Sequence, residues 1–363
     1  MSKYLELVEG SFTQEHLGKQ KNQNPYVAYS IQDGKVIYTK IPNYLCLEPI
    51  DSNNQLALLK LGDYSNIQYS FDKSNWNNFT TDPTNPLNPT YISVDKPVYL
   101  RGNNPNGILN QELLVGCKLV SSGKYNVSGD ATTLLNEVGD VRDLTPYGEQ
   151  SLMTLFGSIP SSVSGLPIDM PCVDIVDASK LILPSITLSN ECYLAMFRDC
   201  TSLTTAPELP ATTLAEACYA TMFQYCISLT TAPELPATTL TEYCYEVMFY
   251  GCTSLTTAPE LPATTLAEWC YSGMFQYCIS LTTAPELPAT TLAESCYRYM
   301  FWDCTSLNYI KCLATNISAD YCTNYWVGKV SNTGTFVKHP DMNNWTAGVD
   351  GIPSGWTVED AVL

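Results

Sequence analysis

The sequence predicts a mixed α/β chain: an N-terminal arm, a small β-sandwich-like domain and a repeat solenoid, over residues 1–43, 44–145 and 146–363. Two observations carry this prediction. A motif of 26 residues recurs without a gap from about residue 191 to 307. Before it, short apolar runs alternate with clusters of Asn, Pro, Asp and Gly, which is typical of strands and turns. Self-similarity at such a period is the signature of stacked repeats.

Two columns of cysteines anchor the repeat. The first column is Cys192, Cys218, Cys244, Cys270, Cys296 and Cys322, and the second is Cys200, Cys226, Cys252, Cys278 and Cys304. We expect each column to form a packed row of reduced thiols, because free cysteine is among the most buried residue types. The period decays at Leu155–Phe156 and at Trp326–Val327, as expected of terminal units that must cover the core.

Each repeat is predicted to carry a short helix. Thr213 and Glu216 have the spacing of a capping box, with Thr213 as the N-cap. Apolar residues then recur at intervals of four along one side: Leu214, Cys218, Met222 and Cys226. We interpret them as the buried face of an amphipathic helix. The SLTTAPELP segment holds two prolines, so it is expected to form the extended edge of each repeat instead.

The region before the repeats is predicted to be rich in strands. Its apolar runs are LALLKLG, IQYSFD, KPVYLRG and LLVGCKLV. The first 43 residues are more polar and contain PYVAYSIQDGKVIYTKIP. We interpret them as an attachment or oligomerisation arm; an ordinary edge hairpin of the first domain is the alternative, and the sequence favours neither.

The repeat motif resembles a known family. The run C-Y-x-x-M-F-x-x-C-x-S-L-T-T-A-P-E-L-P-A-T-T-L is similar to the BspA-like leucine-rich repeats of gut Bacteroidales and of their crAss-like bacteriophages, over roughly residues 187–357. TGTFVKHPDMNNW and GIPSGWTVEDA resemble the C-terminal cap of such arrays, and IQYSFDKSNWNNF, KPVYLRGNN and GKYNVSGDATTLL the β-domain before them. The resemblance implies a leucine-rich-repeat solenoid in a surface or virion protein.

Composition excludes nucleic acid as a partner. The chain has 36 acidic and 18 basic residues, a formal net charge of −18. No Lys or Arg occurs between Arg198 and Arg298, whereas nine Glu do. Phosphate-binding surfaces need clustered cations, and anionic membranes attract basic segments, so both are disfavoured.

No catalytic, metal or cofactor site is expected. The two histidines, His16 and His339, lie at opposite ends of the chain, so an acid–base pair is improbable. No C-x-x-C pair offers the usual spacing of a zinc site. Glu208, Glu234, Glu260 and Glu286 recur at one position; we expect them to be solvated rather than to hold a cation. Without a visible signal peptide, the chain is expected to be made in the cytoplasm with reduced thiols.

The repeats differ from one another in an uneven way. TTAPELPAT is identical in all four copies, whereas positions expected to point outward vary and are rich in Tyr and Trp. Duplication followed by drift explains the variability but not the aromatic bias, since Tyr and Trp are the residues of binding hot spots and sugar platforms. The candidate ligand-binding residues are Tyr225, Tyr243, Tyr250, Trp269, Tyr277, Tyr299 and Trp302.

The expected function is non-catalytic: a virion-exposed fibre or decoration protein of a gut bacteriophage, assembled in the host cytoplasm. Its partners would be other virion proteins through the arm and a host surface protein or glycan through the solenoid; association into a homo-oligomer stays open. The alternative is a BspA-like adhesin at the bacterial cell surface. An intracellular scaffold is a third hypothesis, and an enzyme a remote fourth.

Overall fold

A computed structural model describes residues 27–32, 35–40, 42–61, 66–80, 89–110, 115–159 and 172–362. The chain divides into two units between Asn43 and Tyr44. In the first unit, β1 (Val27–Gln32) pairs antiparallel with β2 (Lys35–Lys40). The rest of the predicted arm, including His16, lies outside the described residues.

The second unit begins with two sheets. A four-stranded sheet has the order β7-β4-β10-β9, and a six-stranded sheet has the order β12-β11-β3-β8-β5-β6. The strands are β3 (Leu45–Pro49), β4 (Asn54–Leu61), β5 (Ile67–Ser70), β6 (Asn77–Asn78), β7 (Ile92–Val94), β8 (Val98–Gly102), β9 (Leu109–Asn110), β10 (Val115–Ser122), β11 (Lys124–Asp130) and β12 (Asp174–Ile182). Short 3-10 turns occupy Ala131–Leu134 and Thr145–Tyr147.

Alternation of apolar residues along the strands gives these two sheets a shared apolar core. Along β8, Val98 and Leu100 are buried and the residues between them are half-exposed, the pattern of a strand with one face on a core. Leu56 and Leu58 of β4 belong to the same apolar cluster as these residues. The Tyr125 hydroxyl donates to the carbonyl of Gln55 at 3.0 Å, which ties β11 to β4.

From Glu191 to Lys329 the 26-residue units, here called coils, stack on one another, and this region is called the repeat stack. Equivalent residues of successive coils lie in columns. The buried column Phe197, Phe223, Phe249 and Phe275 has ring centroids 5.5, 5.6 and 5.7 Å apart. A buried tyrosine column runs beside it, from Tyr193 to Tyr297. Each coil therefore buries its core only against its neighbours.

The prediction of a mixed α/β fold with a leucine-rich-repeat solenoid is wrong. No α-helix occurs anywhere in the described residues, which hold fifteen strands and two 3-10 turns. The segments predicted to be helices consist of consecutive hydrogen-bonded turns. The proposed capping boxes therefore cap no helix; Thr213 and its equivalents instead form isolated parallel bridges, such as Thr187 with Thr213.

The backbone of these turn segments has a period of four. In the coil of residues 217–226, φ is positive at Ala217, Thr221 and Tyr225, and the neighbouring coils repeat the pattern. A residue with positive φ cannot continue a right-handed helix. Hydrogen bonding alternates accordingly: Tyr219 N–H donates to Cys244 of the next coil at 3.1 Å, and Ala220 N–H donates to Ala217 of its own coil at 3.1 Å. Every backbone donor of the segment is satisfied without a helix.

The proline-rich edge also differs from the prediction. Between neighbouring coils, isolated parallel bridges form at threonines, as between Thr231 and Thr257, and within the described PELP segments one such bridge is found, between Leu287 and Cys312. Each proline lacks an N–H group, so this edge cannot build a continuous ladder.

The cysteine columns are thiols built into the coil packing. In the second column, Cys226, Cys252 and Cys278 each donate their Sγ–H to a phenylalanine carbonyl at 3.1 Å, always 29 positions earlier. In the first column, burial raises the pKa of Cys244 to about 12. A neutral, hydrogen-bonded thiol of this kind is inert, so these cysteines are structural.

Both ends of the repeat stack are covered. At the start, β12 pairs with β11 on one side and bridges to Thr205 of the first coil on the other. At the end, β13 (Tyr309–Cys312), β14 (Thr335–Lys338) and β15 (Thr357–Asp360) form a parallel sheet. The last coil finds its acceptors in the terminal segment, where Tyr325 N–H donates to Asp350 Oδ1 at 2.5 Å and Val327 N–H to the Val349 carbonyl at 3.2 Å. One apolar cluster runs from Leu45 to Trp356.

Removing one whole coil, residues 244–269, is expected to leave a folded protein, because the coils on either side offer the same donors and acceptors. Removing residues 320–363 is expected to cause aggregation, since it exposes the end of the ring columns and a row of backbone donors. Size-exclusion chromatography with light scattering and thermal unfolding distinguish the two variants. A monomeric, cooperatively folding chain without residues 320–363 would contradict this account.

Candidate functional site

The turn segments have one inward and one outward side. Pairs such as Cys218–Tyr219 and Met222–Phe223 are buried in the core, and the pairs between them lie on the opposite side, where exposure ranges from buried at Ala220 to exposed at Tyr225. Because the coils stack in register, the outward positions form a continuous surface along the repeat stack. It is called here the aromatic face and comprises the outward residues of the turn segments between Glu191 and Lys329.

The structure brings the seven predicted residues onto this face in three groups. Tyr250 contacts Tyr225 and Tyr277 edge-on, with ring centroids 5.2 Å apart in both pairs. Tyr243 stacks on Trp269 at 5.9 Å. Tyr299 contacts Trp302 edge-on at 5.8 Å.

Contacts along the columns cover part of each predicted ring. Trp269 has Tyr243 on one side and the guanidinium of Arg298, 5.1 Å from its ring centroid, on another. Of the seven predicted residues, Tyr225 alone is exposed, at 38%, and the other six are half-buried. The seven predicted residues therefore form a set of partly covered rings that pack on one another, rather than a row of open ring faces.

Backbone conformation is strained on this face. Tyr225, Tyr243, Trp269, Tyr277 and Tyr299 all have positive φ, which costs about 1 kcal/mol or more for each bulky residue. Glycine takes the equivalent position in other coils, as at Gly251 with φ 71°. A Cβ at Gly251 would lie 2.7 Å from the ring of Tyr225, so this glycine also makes room for that ring.

Two exposed residues of the aromatic face were not predicted from the sequence. Tyr321 and Tyr325 are 64% and 41% exposed, and they continue the columns of Trp269 and Tyr299 into the last coil. Tyr325 stacks on Tyr299 at 5.5 Å. The signal was present in the sequence, because Tyr321 precedes Cys322 as Trp269 precedes Cys270.

Acidic side chains lie beside the rings. Glu216, Glu242, Glu268 and Glu294 form an exposed row next to the column of Tyr243 and Trp269. Glu246 differs because it is half-buried, and burial raises the pKa of its carboxyl group to about 7. It occupies the column that holds Ser272 and Arg298 in later coils.

The proline-rich edge carries shallow grooves. One, of about 410 Å³, lies between residues 206–210 and 232–236, and another, of about 370 Å³, lies between residues 258–262 and 285–288. The repeated glutamates on this edge are exposed, and Glu286 pairs with Lys311 at 3.0 Å. Among the described residues no group of His, Cys, Asp and Glu is arranged to hold a metal ion.

The chain matches no protein-family model, no curated protein and no solved structure. Within the described part of the chain, no helix could cross a membrane.

Replacing Glu246 with Gln is expected to stabilise the protein at pH 8 by about 2 kcal/mol, after allowance for partial exposure, and to change little at pH 4. The folded-state pKa of about 7 exceeds the unfolded value of about 4.5. Ionisation of Glu246 therefore opposes folding, and stability is lost as the pH rises through this window. Urea unfolding at several pH values measures the difference.

The matched control is Glu242→Gln, which removes the same charge from an exposed neighbour. Equal pH profiles for the two variants would show that Glu246 is not specially placed.

Proposed function

We propose that this protein is a non-catalytic, virion-exposed fibre or decoration protein of a gut bacteriophage, whose aromatic face adheres to a host surface protein or glycan. The observation that carries the proposal is the contrast between the two sides of one turn segment. The inward residues are nearly invariant from coil to coil, whereas the outward residues differ and are enriched in Tyr and Trp.

This contrast favours recognition over simple packing. Drift at unconstrained surface positions would bring mainly small and polar residues, because exposed aromatic rings carry a risk of association. Tyr and Trp provide large contact area with few rotatable bonds, and they dominate hot spots and paratopes. A fixed scaffold with variable aromatic positions suits a protein that adapts its contacts to a changing ligand.

Rigidity of the face supports the same function. Its rings pack on one another across coils, and its backbone donates hydrogen bonds to the next coil at every second residue. Side chains that are already ordered lose little entropy on binding, so modest contacts contribute more to affinity. Several copies on one particle would add avidity to weak individual contacts.

The phage assignment draws on the resemblance of the repeat sequence to surface proteins of gut Bacteroidales and their crAss-like phages. In this proposal, the N-terminal segment, which includes the β1–β2 hairpin, attaches the protein to other virion proteins, and the aromatic face is presented to the host. The same resemblance supports a second candidate, an adhesin at the bacterial cell surface, which would use the same face.

Mass spectrometry of purified phage particles and of host envelope fractions separates these candidates. Stoichiometric peptides of this chain in the particles are expected. Recovery in the envelope alone would replace the virion assignment with the bacterial adhesin.

Replacing Tyr225 and Tyr325 together with Ala is expected to lower attachment to host cells at least about tenfold, because both rings are exposed on the aromatic face. The unfolding temperature should shift by only a few degrees, since neither ring lies in the core. Binding of fluorescent beads coated with each variant, measured by flow cytometry, gives the comparison.

A double variant at Ile186 and Val358, which are 46% and 45% exposed outside this face, is the control for loss of apolar surface. Equal attachment by the wild type and the Tyr225→Ala, Tyr325→Ala variant would show that the aromatic face is not the adhesive surface.

A further inference from the structure

Four cationic residues lie between Glu191 and Val330, and one of them stands apart. Arg198 lies 3.8 Å from Asp199, Lys311 lies 3.0 Å from Glu286, and Lys329 lies 2.6 Å from Asp303. Arg298 has no carboxylate within 4.0 Å among the described residues. In a chain with twice as many acidic as basic residues, an arginine without an acidic partner is unexpected.

Aromatic rings hold Arg298 in place. Its guanidinium carbon lies 5.1 Å from the ring centroid of Trp269, 5.1 Å from that of Tyr299 and 6.0 Å from that of Tyr321. Ser295 occupies the column between Trp269 and Tyr321, where three other coils have a ring, and its small side chain is fully buried. Contacts of this kind attract a cation but provide no hydrogen-bond acceptor in the ring plane.

Two polar groups at this position lack partners. The Nε of Arg298 and the Oγ of Ser295 are buried, and neither forms a hydrogen bond. Ser295 is 0% exposed. A buried polar atom without a partner costs about 1–3 kcal/mol, and more when the group is charged. Neither atom is open to solvent, but Arg298 as a whole is only half-buried. The accessible part of its guanidinium offers planar donors that match an oxyanion.

The surrounding charges restrict what that oxyanion can belong to. Glu268, Glu294 and Asp320 form an exposed acidic row beside the site. They would repel a polyanion, such as a nucleic acid or a strongly acidic peptide, but they can accept hydrogen bonds from hydroxyl groups. A ligand that carries one negative charge and many hydroxyl groups would suit this site, because its charge can meet Arg298 and its hydroxyl groups can meet the carboxylates. Tyr321, 64% exposed, has room for the apolar face of a sugar ring.

We propose that Arg298, with Trp269 and Tyr321, forms a subsite for an acidic sugar, in which the guanidinium binds the sugar carboxylate. The proposal rests on the adhesive function proposed above and names the ligand class of the aromatic face. Uronic acids within a glycan and terminal sialic acids share this chemistry, and the test separates them.

The test uses the full-length chain and two matched pairs of probes. One pair is a hyaluronan oligosaccharide and the same oligosaccharide after reduction of its carboxyl groups to primary alcohols. The other pair is 3′-sialyllactose and lactose. Calorimetry and biolayer interferometry with immobilised protein are expected to show at least about tenfold tighter binding of one acidic probe than of its neutral partner. The pair that shows the preference identifies the source of the carboxylate.

The variants are Arg298→Gln, Arg298→Lys and Lys311→Gln. Arg298→Gln should abolish the preference, so that the acidic probe and its neutral partner bind with equal, weak affinity. Arg298→Lys keeps the charge but loses the planar pair of donors, so it should retain part of the preference and guard against a loss caused by misfolding. Lys311→Gln removes an equal charge from the proline-rich edge and should behave as wild type.

Equal binding of acidic and neutral probes, or an unchanged preference in Arg298→Gln, would overturn the subsite. Attachment of wild type to host cells without affinity for either acidic probe would also overturn the subsite and leave the adhesive function standing. If the wild type does not attach to host cells at all, the proposed adhesive function is wrong as well.

Discussion

The alternation of backbone hydrogen bonds within the turn segments is the interaction on which the repeat stack depends. One N–H group closes a turn inside its own coil and the next reaches the following coil, as Ala220 and Tyr219 show. Because the residues at positive φ recur every fourth position, the side chains alternate in pairs along the segment: two lie on the inward side and the next two on the outward side. The inward pairs build the thiol, tyrosine, methionine and phenylalanine columns. The outward pairs are free of that constraint, so one backbone device supplies both a uniform core and a variable surface.

The strain in this backbone and the aromatic character of the face are connected. Tyr225, Trp269 and Tyr299 occupy positions with positive φ, where glycine would cost less. Two coils do use glycine there, at Gly251 and Gly273. Other coils keep large rings at such positions, and the contacts of these rings with the next coil offset part of the conformational cost. The stability of the stack and the chemistry of its surface are therefore not independent.

The repeat period, the burial of the cysteine columns and the alignment of the aromatic residues could be predicted from the sequence, but the turn segments could not and were predicted to be helices. Leu214, Cys218, Met222 and Cys226 are spaced by four without any interval of three. In a helix of 3.6 residues per turn each such step drifts by roughly 40°, so three steps would carry the residues off one face. Strict spacing by four, with Gly251 and Gly273 in the same phase, fits the observed turns better than a helix. Arg298 could not be predicted, because its column holds Leu194, Ala220, Glu246 and Ser272 and shows no pattern. Its significance depends on distances to rings in three different coils.

The capping of the last coil by Asp350 and Val349 shows that the stack has a direction. Within the turn segments, donors of each coil point toward the C-terminal end, so the two ends of this surface differ: one ends in carbonyl groups and the other in N–H groups. At the N–H end, the carboxylate of Asp350 accepts the hydrogen bond that the carbonyl group of a further coil would otherwise accept. At that end, residues 349 and 350 provide the acceptors that a further coil would provide, so the number of coils sets the length of the aromatic face.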